Sequence, residues 1–118
     1  MSQSQPKLTL AKAGTTTVVR LVGPDITDPL YINQLGEDLE AVLEAADPPD
    51  LLVDLNDVER LSSAALGKLM RLYKQAQRLR GRIRLCSIRP RVREAFEITR
   101  FDQKFEIYPD ADEALAQG

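Results

Sequence analysis

With 118 residues, 43% of them hydrophobic and 29% charged, the chain is sized for one domain that can bury a core without disulfide or metal staples. It has no histidine and a single cysteine, Cys86, which excludes Ser-His-Asp and Cys-His catalysis, a zinc site and an internal disulfide. The net charge of −2 argues against a nucleic-acid partner, and no apolar run nears the roughly 20 residues of a membrane helix. The opening MSQSQPKLTL lacks the basic-then-apolar pattern of a secretory signal, and the lone cysteine suits a reducing compartment. These features lead us to expect a cytoplasmic protein that has no membrane partner and is not an enzyme.

In chain order, residues 1–6 are polar and expected to be loose. Lys7–Ala11 alternates as an edge strand, Ala13-Gly14 supplies a turn, and the β-branched Thr15–Val22 predicts a second strand paired with the first as a hairpin. Asp28-Pro29 reads as an N-cap followed by proline in the first helical position. Leu30, Leu35, Leu39, Val42 and Leu43 then recur at helical spacing to about Ala46, where Asp47-Pro48-Pro49-Asp50 stops the helix. Leu51–Leu55 is apolar apart from Asp54 and predicts a central strand buried on both faces. A second helix starts at Ser63, with Leu66, Leu69, Met70, Leu72, Tyr73, Ala76 and Leu79 tracing its inner face and Gly81 as its C-cap. Arg82–Ser87 alternates as a strand with Ile83 and Leu85 on one side. Pro90 opens a third helix with Val92, Phe96 and Ile98 inward. Lys104–Tyr108 is the last strand, and Asp110 caps a short terminal helix ending near Ala116.

Strands alternating with helices imply an α/β fold whose sheet is mostly parallel, with the opening hairpin as its antiparallel element. In such sheets the loops at the carboxyl ends of the strands form the working edge, and Ser62 and Ser63 follow Leu51–Leu55 there. The charges are segregated. Asp25 to Glu59 holds eleven acidic residues and no basic one, and Arg60 to Arg93 holds eleven basic residues and no acidic one. These blocks are expected on the outer faces of folded elements, either attracting each other within the fold or orienting a protein partner.

Ser62-Ser63 is the pair with chemistry in reach. One serine at a helix start is an N-cap, but Leu66 stands where a capping box for Ser63 would need Glu or Gln, so capping leaves one serine unexplained. At a helix mouth the backbone N–H groups point outward and favour negative charge, which suits an anion or a phosphorylated hydroxyl. Neither GxGxxG nor GxxxxGK[ST] is present, Asp54 and Asp57 form no metal loop, and Tyr73 is the one aromatic in the basic block. No metal, cofactor or direct nucleic-acid partner is expected.

Three stretches carry a resemblance that covers nearly the whole chain. Leu21-Val22-Gly23 leads to an acidic helix. LLVDLNDVERLSSAALGKLMRLYKQA is similar to a V-x-D-L strand running through V-x-x-[IL]-D-S-[ST]-G-L-G into a helix. IRLCSIRPRVREAFEITRFDQKFEIYPDADEAL is similar to a closing strand, P-x-V helix, L-D-x-x-F-x-I-Y and acidic terminal helix. Together they resemble the anti-sigma factor antagonists of the STAS family. The resemblance implies a single STAS domain over residues 1–118, a mixed sheet with an N-terminal β-hairpin and about four α-helices. The family's aspartate falls on Ser62, its phosphorylated serine on Ser63, its next Ser or Thr on Ala64 and its first glycine on Ala65. Leu66-Gly67 are retained, and a later family glycine falls on Arg100.

The resemblance further implies a regulator that binds an anti-sigma factor which is also a serine kinase, is released when Ser63 is phosphorylated, and is restored by a serine phosphatase. The expected contact set is Asn56, Asp57, Arg60, Ser62, Ser63, Ala64 and Ala65, with the Ala65 methyl lying where a partner docks. Two further readings stand beside it: a constitutive STAS scaffold or assembly module without phosphate control, and a STAS domain that binds a small ligand or nucleotide.

Overall fold

The computed structural model describes residues 8–117, so the expectations for residues 1–6 and for a strand start at Lys7 fall outside the described residues. Strands β1 (Leu8–Ala13) and β2 (Thr16–Leu21) form the expected hairpin, with Gly14-Thr15 as its turn. A two-residue strand β3 (Asp25–Ile26) precedes helix α1 (Pro29–Glu44). After β4 (Asp50–Asp54) come a second two-residue strand, β5 (Arg60–Leu61), and helix α2 (Ser63–Arg78). Strand β6 (Arg82–Cys86), helix α3 (Pro90–Ile98), a 3-10 turn (Phe101–Gln103), strand β7 (Glu106–Tyr108) and helix α4 (Ala111–Ala116) complete the chain.

The main sheet has the order β1-β2-β4-β6-β7, antiparallel at β1-β2 and parallel elsewhere. The sequence pattern did not reveal the parallel β3-β5 ladder, because two residues are too few for a period. The middle of β4, Leu51, Leu52 and Val53, is apolar because both faces of the strand are covered. Leu51, Val53 and Leu55 enter the main core with Val19, Leu21, Leu39, Leu69 and Phe96, while Leu52 packs on the opposite face with Cys86 and Ala114 of α4. Asp28 caps α1 by accepting the Leu30 N–H at 3.0 Å, and Asp110 caps α4 by accepting the Glu113 N–H at 2.8 Å.

Some inward assignments are corrected. Leu30 is 79% exposed and Ile98 82% exposed. The buried stripe of α1 runs through Ile32, Leu35, Leu39 and Leu43, and that of α3 through Val92 and Phe96, so both residues lie off the stripe. Leu79, expected inside, is also partly exposed at the end of α2. The left-handed position after that helix belongs to Arg80, at φ 62°, and not to Gly81. Gly81 is small for another reason: a Cβ there would stand 2.1 Å from the Pro49 carbonyl oxygen.

The charged blocks meet within the fold, where Arg60 pairs with Asp25, and Arg82 and Arg84 with Asp50. Arg20, outside the basic block, pairs with Asp54. The Lys68 stem lies across Gly36 of α1. One basic residue departs from the expected outer face. Arg84 is 0% exposed, donating from Nη1 to the Ala114 carbonyl at 2.7 Å and from Nη2 towards Thr16 and Asp50 beneath α4.

Candidate functional site

The site is built where β4 ends. The Asp54 carboxylate is nearly buried. Its Oδ1 accepts the Asn56 N–H at 2.9 Å, and its Oδ2 faces Arg20 Nε at 3.7 Å, so it shapes the turn instead of waiting for a metal. Buried Leu55 donates its N–H to the Cys86 carbonyl and accepts the Val58 N–H, both at 3.0 Å. Val58 is also buried, so the loop is pinned on each side of Asn56-Asp57, leaving Asn56 exposed and Asp57 half-buried. A clamp comes from the start of α3, where Arg89 Nε donates to the Asn56 carbonyl at 2.8 Å.

The β3-β5 ladder carries the chain from this loop to α2. The N–H groups of Glu59 and Arg60 both reach the Pro24 carbonyl, at 2.7 and 2.9 Å, and the Ser62 N–H reaches the Ile26 carbonyl at 3.1 Å. Arg60 Nε lies 3.7 Å from Asp25 Oδ1 with both side chains well exposed, so that pair contributes little to stability. Arg60 therefore keeps its guanidinium well exposed to solvent.

The two serines separate cleanly in role. Ser62 is extended (φ −76°, ψ 166°) and is the N-cap, its Oγ accepting the Ala65 N–H at 3.2 Å. Ser63 is the first helical residue and is exposed, with no hydrogen-bond partner for its hydroxyl among the described residues. The N–H groups of Ser63 and Ala64 likewise have no protein acceptor there, which leaves the positive end of α2 open to solvent. Ala64 is exposed beside Ser63. Ala65 is 4% exposed and its methyl joins the main core, because residues 65, 69, 72 and 76 form the inner stripe of the helix. The expectation that this methyl lies at a docking surface is therefore corrected.

Asn56, Arg60, Ser63 and Ala64 are thus exposed along one connected segment, with Asp57 and Ser62 half-buried within it. Sequence reasoning missed Arg89. Its one signal was the N-cap position before Pro90, which Ser, Thr, Asp or Asn would usually fill and where Arg89 makes no capping bond. Cys86 is fully buried, and burial pushes its thiol up to about 11, so it stays protonated at neutral pH. Tyr73 packs edge-on against Phe105, with ring centroids 5.0 Å apart, and so takes part in the core.

A family model for the STAS domain matches residues 7–114. A protein of Bordetella bronchiseptica (strain RB50) that carries the name anti-sigma factor antagonist BtrV is 29% identical over 110 residues, covering 93% of this chain and 92% of that one. A crystal structure of an anti-sigma factor antagonist from Mycobacterium paratuberculosis is 26% identical, with a TM-score of 0.81 over 98% of this chain and 97% of that one. The fold also matches the anti-sigma factor antagonist SpoIIAA in its unphosphorylated form, at 17% identity and a TM-score of 0.75 over 93% and 94% of the two chains. The phosphorylated form of SpoIIAA, described as a Bacillus cell fate determinant, matches at 18% identity with a TM-score of 0.70 over 93% and 97%.

Proposed function

Because the chain belongs to the STAS domain family, we propose that it is an anti-sigma factor antagonist, a binding regulator switched by phosphorylation of Ser63. The partner is an anti-sigma factor with serine kinase activity, which docks on the segment from Asn56 to Ala64. Arg60, Ser63 and Ala64 make contacts, and Asn56, Asp57 and Ser62 hold the shape of the loop. A serine phosphatase resets the switch.

The observation that carries this reading is the division of labour at the start of α2. Ser62 takes the capping role, so Ser63 is left exposed beside unfilled N–H groups. A phosphate brings about −1.5 to −2 charges, which the positive end of the helix accommodates in the free protein. In a complex packed around a neutral serine the same group is a desolvated charge and a clash, so it releases the partner without refolding the domain.

The departures from the family pattern are compatible with this switch. Ser62 stands at the family's aspartate position, and Ser and Asp are comparable N-caps. Ala65, at the glycine position, sends its methyl into the core and leaves the outer surface unchanged.

Affinity capture from the native host with wild-type protein, Ser63→Ala and Ser63→Asp in parallel tests the proposal. An anti-sigma factor kinase retained by wild type and Ser63→Ala and lost by Ser63→Asp supports the switch. Equal retention by all three assigns the chain to the constitutive scaffold class instead. If no such kinase is captured by any of them, the proposed partner is wrong.

A further inference from the structure

A groove of about 270 Å³ runs between β5 and α3, lined by Glu59, Arg60, Leu61, Arg91, Val92 and Ala95. Its floor is aliphatic: Val92 is buried and Leu61 and Ala95 are half-buried, all three packing on the main core. Arg60 and Arg91, both exposed, stand over that floor. Arg60 has Asp25 within 3.7 Å in a solvent-exposed pair, and Arg91 has no ion-pair partner among the described residues. Glu59 is the single acid in the lining.

The start of α3 breaks the rule that cations avoid a helix N-terminus. Arg89 is the N-cap without a capping bond, Arg91 and Arg93 follow, and the first turn has no acidic residue. Local departures of this kind are expected where a surface is used. Arg89 is occupied by the Asn56 carbonyl and Arg93 by Glu97 at 3.6 Å, which leaves Arg91 the free cation over the groove.

The geometry points to this groove as a docking site for an acidic, aliphatic peptide segment of a protein partner, its aliphatic side chains on Leu61, Val92 and Ala95 and its carboxylates on Arg60 and Arg91. Charge complementarity selects that occupant: two guanidinium groups flank an uncharged floor, and planar bidentate recognition of carboxylates is what arginine does best. The groove shares Arg60 with the segment proposed to meet the anti-sigma factor, and Arg91, which lies outside that segment, tests the inference separately from the Ser63 switch.

The test is to pan a random library of displayed peptides about 12 residues long against the immobilised whole protein and to titrate the enriched sequence as a fluorescent probe by anisotropy. We expect enriched peptides that combine Asp or Glu with Leu, Ile or Val and bind more weakly as salt rises. Arg91→Glu should weaken the probe at least about tenfold, while Arg71→Glu on the exposed side of α2 should change it less than about twofold. Circular dichroism checks that both variants are folded. Enrichment without acidic and aliphatic residues, or equal loss in both variants, would overturn the proposal. So would a single-stranded RNA that binds as tightly as the peptide and is lost in the same variant.

Discussion

Arg89 Nε donates to the carbonyl oxygen of Asn56 at 2.8 Å, so the first residue ahead of α3 holds the loop that leads to Ser63. The pair joins segments 33 residues apart in sequence on the exposed face of the site. Arg89→Ala should cost little stability, within the ~0.5–1.5 kcal/mol of one hydrogen bond. It should speed amide hydrogen exchange around residues 56–58 and weaken partner binding several-fold. Unchanged exchange there would show that Leu55 and Val58 fix the loop alone.

Ser62 and Ser63 should respond oppositely to truncation. Ser62→Ala removes the cap and should cost about 0.5–2 kcal/mol, with Ser62→Asp restoring most of it. Ser63→Ala removes a hydroxyl that bonds to nothing among the described residues, so it should fall within about 0.5 kcal/mol of wild type. Urea denaturation of the variants decides this. A larger loss for Ser63→Ala would mean that the capping assignment is reversed.

Asp50 is the counter-charge for a buried arginine. It accepts from Thr16 Oγ1 at 2.9 Å, Arg82 Nε at 3.2 Å and Arg84 Nη2 at 3.5 Å, while Arg84 Nε has no partner. Removing one side of a buried pair strands the other, so Asp50→Ala should destabilise by about 3–5 kcal/mol. Arg84→Met replaces the charge with an apolar chain of similar reach and should stay within about 1.5 kcal/mol of wild type, because Asp50 keeps Arg82. Equilibrium unfolding that ranks the two variants in the opposite order would contradict this reading of the back face.

Arg100 sits at φ 63°, in the left-handed region, just before the 3-10 turn. The resemblance places a glycine at this position, and the backbone gives the reason: only glycine adopts that conformation without steric cost. Arg100→Gly relieves strain of about 1–2 kcal/mol and gives back part of it through a looser unfolded chain, for a net gain of roughly 0.5–1 kcal/mol. Thermal denaturation should show a higher Tm, and a lower one would mean that the Arg100 side chain makes compensating contacts.

Much of the fold was legible because periodicity reports burial. The alternation of Val19 and Leu21 in β2, the apolar run of Leu51, Leu52 and Val53 in β4 and the stripe of α2 each correspond to a face packed against something, whereas β1, read as alternating, leaves Leu10 54% exposed. The reading failed where a residue's type contradicts its environment. Leu30 and Ile98 are aliphatic but off the stripe, and Arg84 is charged but buried, roofed by α4 and satisfied largely by Asp50 and a helix carbonyl. At the site, the spacing of Ser62 and Ser63 placed them at the start of α2, but only the backbone course shows that the first caps and the second is exposed. The β3-β5 ladder and the Arg89 clamp are contacts between distant segments, and no local pattern encodes them.

One phosphate at Ser63 sets the affinity for the partner, and titrating the captured anti-sigma factor against unmodified protein and protein carrying phosphoserine at position 63 measures that effect. The phosphorylated form should bind at least about 100-fold more weakly, about 2.7 kcal/mol, with the circular dichroism of the domain unchanged. Affinities within about twofold of each other would contradict it.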